Sequence, residues 1–265
     1  LIDLFSGLNA ISDMKIDFLH DSSVLDDPTR IIRAARYSSK LGFNLSNKAL
    51  RQIKNTINLW PWNWHIGDAP NLAPSALSIR LRLELELLFK NKDWENALTN
   101  LREWGGLKII DSQLQNNETL LKNIIIAKES SIEPLTAFVY EAVNPLYLAG
   151  RLQLLQQQKE IIKGACQLNK RLKDISSNKL YKKWSASKWT TFLEGININE
   201  SSIILEICQG NPLKEYLSSW LYNWKNIDSP IKGDDLIAQG WEQGPDLGIE
   251  INRQRMQLID EQNII

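Results

Sequence analysis

From Asp27 to the carboxyl end, apolar residues recur at helical spacing, and hardly any run alternates with the period of two that a half-buried strand requires. This pattern restricts most of the chain to an all-α fold. Pro28 suits a first helical position, Ile31, Ile32, Ala35 and Leu41 supply an inward face, and Gly42 is a stop. Ser46 caps the next helix, with Leu50, Ile53 and Ile57 on one face and Pro61 at its end. Further helices are expected over Ser75 to Lys90, Asp93 to Trp104 with Gly105 and Gly106 as the stop, Glu118 to Ser130, Leu152 to Ile175, Ser187 to Glu194, Ser201 to Gln209 and Leu213 to Trp224. Polar joints and the lack of a fixed-period repeat imply an irregular multi-helix array. Only the beginning differs. Lys15 to Leu19 alternates like a strand, and Leu1 to Phe5 resembles a strand end entering a turn at Gly7, as if the chain began inside a longer protein.

Charge and composition narrow the function classes. The 31 basic and 31 acidic side chains cancel, so any phosphate binding must come from local clusters. Apolar runs such as Ile124 to Ile126 and Ile203 to Leu205 fall far short of the roughly 20 residues that cross a bilayer, and Asp3 and Asp13 interrupt any signal-like stretch. The expectation is a soluble, cytoplasmic protein with no membrane partner. Cys166 and Cys208, with His20 and His65, do not make a zinc pattern, so no metal site is expected.

The informative segment runs Asp26-Asp27-Pro28-Thr29-Arg30-Ile31-Ile32-Arg33-Ala34-Ala35-Arg36-Tyr37, then Leu41-Gly42-Phe43. Steps of three keep Arg30, Arg33 and Arg36 on one slowly rotating stripe of a helix, with Ile32 and Ala35 packing opposite. Asp27, three residues before Arg30, sets an acceptor beside a planar donor fork, a pair that matches a base edge. The plainer alternative is that Asp27 caps the helix and the arginines form a solvated face with Asp26 and Asp21 as partners.

This segment resembles motif D of class II tRNA nucleotidyltransferases and bacterial poly(A) polymerases, E-D-P-x-R-x-x-R-A-x-R-F followed by L-G-F, with Asp26 for Glu and Tyr37 for Phe as the departures. Ile2-Asp3-Leu4-Phe5-Ser6-Gly7-Leu8 is similar to that family's I-D-P-F-G-G-L, Arg80 to Leu88 to its R-I-x-x-E-L-x-x-L-L neck helix, and Ile231 to Gly248 to the I-x-G-x-D-L, G, G-P-x-x-G tail. The resemblance implies an all-α neck (27–104), body (105–226) and tail (227–265), preceded by a short remnant (1–26) of an α/β nucleotidyltransferase head. It further implies that Asp27 and Arg30 read the Watson–Crick edge of incoming CTP or ATP, supported by Arg33 and Arg36. A carboxylate accepts from the exocyclic amino group that C and A share and is repelled by the carbonyl that G and U present there.

The family's chemistry needs a D-x-D pair holding Mg2+, and no D-x-D occurs in this sequence. The parent protein is therefore expected to be a nucleotidyltransferase adding C and/or A to RNA 3′ ends, with this chain contributing no catalytic carboxylate and inactive alone. A non-enzymatic helical RNA-binding or scaffold protein is the alternative. Lys170, Arg171, Lys173, Lys182, Lys183 and Lys188, with Trp184 and Trp189 among them, are candidates for the tRNA backbone, or else a solvated face over core tryptophans. Trp60, Trp62, Trp64 and Trp94 are expected to pack rather than to stack on bases. The glycines from Gly233 to Gly248 fit a phosphate cradle or simple helix stops.

Overall fold

The computed structural model describes residues 3–60, 64, 76–197, 199–200 and 212–262. The helix expected over Ser201 to Gln209, and Ile2, Pro61, Trp62, His65, Ser75 and Cys208, lie outside these. The chain divides into two compact units, Leu1–Ile162 and Lys163–Ile265.

In the first unit, α1 (Gly7–Ser12), β1 (Lys15–Ile16) and α2 (Ser23–Asp26) lead into α3 (Arg30–Leu41), β2 (Asn44–Leu45) and α4 (Asn47–Leu59). After these come α5 (Leu77–Lys90), α6 (Trp94–Glu103), α7 (Ser112–Asn116), α8 (Leu120–Glu129), α9 (Pro134–Tyr140) and α10 (Pro145–Arg151). A long helix, α11 (Gln156–Ser177), contains the boundary between the units. Local chemistry explains the helix ends around α3. Gly42 adopts φ +68°, a left-handed stop that costs glycine nothing, and the Ser46 side chain accepts from Ala49 N at 2.9 Å to start α4.

α3 packs along α6 and against α5 through Ile31, Ile32, Ala34, Ala35 and Ser38. Leu41 departs from expectation: as the last residue of α3 it has turned off the inward stripe and is exposed. On α4 the buried face is Ala49, Ile53 and Ile57 with Gln52 and Thr56, and Leu50 is only half-buried. The strand expected over Lys15 to Leu19 reduces to a two-residue parallel ribbon, Lys15 opposite Asn44 and Ile16 opposite Leu45. It ends where the Asp17 carboxylate turns back to accept from Phe18 N.

The helix expected to begin at Leu152 instead begins at Gln156. Gln153 takes a left-handed φ of 51°, which breaks the helical path, and Gln158 reaches back to accept from Leu155 N at 2.9 Å, opening a new helix. Two short helices, α9 and α10, were not expected, and each starts with the proline that suits a first turn. Trp60, Trp64 and Trp94 are buried, so their rings pack, and the Arg151 guanidinium lies 4.7 Å over Trp64.

In the second unit α11 buries Ala165, Leu168, Leu172 and Ile175, spaced as one helical face. It is joined by α12 (Ala186–Leu193), α13 (Pro212–Tyr222), α14 (Gly233–Ala238) and α15 (Pro245–Gln262). Trp189 is fully buried and stacks on Tyr216, with centroids 4.9 Å apart and planes 12° apart. α15 is tied to both ends of α12. Asp260 accepts from Ser187 N at 2.8 Å and Ser187 Oγ at 2.7 Å in the first turn, where anions are favoured, and Arg255 pairs with Glu194 at 2.7 Å beyond the last. In the glycine-rich tail, Gly240 (φ +97°) ends α14, and a Cβ at Gly233 would stand 3.3 Å from Leu247.

Candidate functional site

The start of α3 is shaped by Asp27. Its backbone is extended, and its carbonyl accepts from Arg30 N at 3.1 Å. Its Oδ1 accepts from Thr29 N at 3.1 Å and Thr29 Oγ1 at 2.6 Å. Asp27 therefore does cap the turn, as the plainer reading expects, but with only one of its two oxygens. The other, Oδ2, accepts from Arg80 Nη1 of α5 at 3.3 Å. The Asp27 side chain is 17% exposed and that of Arg80 51%.

Two arginines of the stripe face the same helix. Arg33 donates through Nε (2.9 Å) and Nη2 (2.6 Å) to Glu84 Oε1, and Arg36 donates through Nη2 to Glu84 Oε2 at 3.3 Å. Glu84 is almost closed to solvent, at 7% side-chain exposure, against 52% for Arg33 and 18% for Arg36. A buried carboxylate that accepts from two guanidiniums is compensated where an isolated one would be costly. The Glu84 hydrogen bond pushes the Arg33 pKa above the usual arginine value, so Arg33 stays charged. The Arg36 guanidinium also sits 4.9 Å over the Tyr37 ring. Arg30 is half-buried at the head of the stripe, and its guanidinium makes no hydrogen bond or ion pair among the described residues.

Asp27, Arg33 and Arg36 thus all meet α5, whereas no side-chain contact among the described residues joins Arg30 to Asp27. Asp21 pairs with Lys48 at 3.0 Å, and neither Asp21 nor Asp26 serves the arginines. The partners are Arg80 and Glu84, one turn apart on α5, whose other face buries Leu81, Leu85 and Leu88. These two were missing from the expected site, although their four-residue spacing inside the Arg80 to Leu88 run was a usable signal. The bonded cluster holds three guanidiniums, Arg33, Arg36 and Arg80, against two carboxylates, with Arg30 at the head of the same helix, an excess of positive charge suited to a phosphate-bearing ligand.

In the second unit Lys170, Arg171, Lys173, Lys182, Lys183 and Lys188 are all exposed. Two of them also pack on aromatic groups: Arg171 donates to Phe192 O at 2.9 Å and lies 4.3 Å over its ring, and Lys188 lies 5.4 Å over Trp184. The aromatic rings turn inward, Trp189 fully and Trp184 half-buried against it at 5.0 Å. Among the described residues no group of three or more His, Cys, Asp or Glu is placed to hold a metal ion, and no helix is long and apolar enough to cross a membrane.

No family model matches the chain. It is 32% identical over 124 residues to the A-adding tRNA nucleotidyltransferase of Aquifex aeolicus (strain VF5), covering 47% of this chain and 14% of that protein. It is 22% identical over 264 residues to the A-adding tRNA nucleotidyltransferase of Geobacter sulfurreducens, covering 92% of this chain and 29% of that protein. The chain therefore spans under a third of the length of either relative. Among solved structures, the fold is similar to a CCA-adding enzyme in complex with ATP (TM-score 0.66, 21% identity, 98% of this chain, 62% of that one). It is also similar to a Thermotoga maritima CCA-adding enzyme complexed with tRNA (TM-score 0.64, 20% identity, 98% and 63%). The chain is thus similar in sequence to A-adding tRNA nucleotidyltransferases and in fold to CCA-adding enzymes.

Proposed function

We propose that this chain is the nucleotide-reading neck (27–104), body (105–226) and tail (227–265) of a template-independent enzyme that adds C and/or A to tRNA or other RNA 3′ ends. One observation carries the reading. Asp27 commits Oδ1 to its own turn and directs Oδ2 toward α5, while the Arg30 guanidinium one turn on has no partner among the described residues. An acceptor and an unused donor fork three residues apart at the start of one helix would complement the exocyclic amine and the ring nitrogen acceptor of cytosine or adenine. Guanine and uracil reverse both groups, presenting a carbonyl to the carboxylate and an N–H to the guanidinium. Arg33 and Arg36, held by Glu84, supply positive charge for the triphosphate.

Phosphoryl transfer in this reading takes place on carboxylates outside this chain. Three acids of the motif segments do not fit a catalytic Mg2+ site: Asp27 is spent on Thr29 and Arg80, Glu84 on two arginines, and Asp235 on Lys232 N. The exposed basic residues from Lys170 to Lys188 would meet the RNA backbone. The test is equilibrium binding of CTP, ATP, GTP and UTP to the full-length protein that carries this chain, with Asp27→Ala and Arg30→Ala singly. Preference for CTP or ATP that each change abolishes, with RNA binding intact, supports the reading. Selectivity indifferent to both changes makes the stripe structural and favours a helical RNA-binding scaffold.

A further inference from the structure

The contact between Arg80 and Asp27 has an odd position for an ion pair whose purpose is structural. Asp27 needs no help from Arg80 to hold its orientation, since two donors of Thr29 already fix Oδ1 at 3.1 and 2.6 Å. Arg80 reaches across from α5 with a half-exposed side chain to the oxygen left over, at a long 3.3 Å. Its neighbours behave differently. Arg33 and Arg36 are tied to the buried Glu84 and are held in place, whereas among the described residues Arg80 has only the Asp27 carboxylate as its ion-pair partner.

Resting on the base-reading role of Asp27, we propose that Arg80 is a specificity-determining residue that competes with the exocyclic amine of the incoming base for Asp27 Oδ2. A base bearing an amine at that position must share with Arg80 an oxygen whose acceptor strength the guanidinium has already drawn on, or lengthen the Arg80 contact to relieve it. A base bearing a carbonyl does not engage Oδ2 and leaves the pair in place. The cost of releasing Arg80 thus falls on C and A alone, and Arg80 lowers the very discrimination that Asp27 creates. Because the contact is long and Arg80 is half-exposed, that cost is small, equivalent to about two- to five-fold in affinity.

The experiment measures equilibrium binding of all four nucleotides to the full-length protein in four forms: wild type, Arg80→Gln, Asp27→Asn and the double variant. Asparagine keeps an acceptor for Thr29, so the start of α3 is preserved while the Oδ2 acceptor is removed. Removing the Arg80 charge weakens every triphosphate alike, and this general loss cancels in the affinity ratios of CTP to UTP and ATP to GTP. The expected result is that Arg80→Gln raises both ratios about two- to five-fold, and that it leaves them unchanged in the Asp27→Asn background. Ratios that fall, or that shift equally in both backgrounds, overturn the competition. If Asp27→Asn alone leaves wild-type selectivity intact, the base-reading role itself fails, an outcome distinct from failure of Arg80 alone.

Discussion

Replacing Glu84 with alanine should be the most damaging single change at the site, and the geometry sets its size. Breaking a fully desolvated ion pair by removing one partner costs about 3–5 kcal/mol, whereas an exposed pair contributes about 0–1 kcal/mol. The Glu84 triad lies between these limits: the carboxylate is 7% exposed, but Arg33 is 52% and Arg36 18% exposed. Arg33 can turn to water once released. Arg36 is more confined, and its Nε already lacks an acceptor among the described residues. The expected destabilisation is about 2–3 kcal/mol, or a fall of roughly 4–12 °C in Tm for a unit of this size. Glu84→Gln keeps an acceptor for Arg33 and should cost about 1 kcal/mol. Lys48→Ala, which removes the exposed pair with Asp21, should cost under about 0.5 kcal/mol. Urea unfolding followed by tryptophan fluorescence measures all three. Equal effects of Glu84→Ala and Lys48→Ala would refute the claim that burial of the shared carboxylate sets the scale.

Other consequences can be checked separately. A Cβ at Gly106 would stand 2.5 Å from Leu101 Cδ1 and 2.7 Å from Ile31 Cγ2, so Gly106→Ala should cost about 1–3 kcal/mol by overpacking beneath α3, read by thermal unfolding. If Lys182 and Lys183 touch RNA phosphates, changing both to Gln should reduce the slope of log K against log salt by roughly 1.4–1.8, with little change in sequence preference. On α15, hydrogen bonds from Arg253 and Gln254 pull the Glu250 carboxyl from its ordinary 4.5 down to about 2. Since the folded value lies below the ordinary one, the stabilising contact is complete above about pH 4.5 and is lost as pH falls toward 2. A carboxyl NMR titration should show this low midpoint, and Arg253→Gln should raise it.

What could be read from the sequence was whatever is decided within a few residues. The stop at Gly42 and the cap at Ser46 depend on backbone groups three or four positions away, and both were legible. The stripe of Arg30, Arg33 and Arg36 follows from helical spacing alone. Their partners do not, because Glu84 lies 48 and 51 residues along the chain and joins them only through the packing of α5 on α3. The break at Gln153 was hidden for another reason: no glycine or proline marks its left-handed turn, and the residues around it suit a continuous helix. The short ribbon at Lys15 was half legible, since its alternation is local but its partner, Asn44–Leu45, comes from beyond α3. Trp189 shows the limit for aromatics among charges, where only the tertiary stack on Tyr216 separates a core ring from a base platform.

A crystal structure of the full-length protein with CTP bound tests the central claim most directly. The account predicts the cytosine amine within about 3 Å of Asp27 Oδ2, the Arg30 guanidinium on the ring nitrogen, and Arg80 withdrawn from its 3.3 Å contact. A cytosine bound elsewhere, with Asp27 still paired to Arg80 and Arg30 facing water, would contradict it.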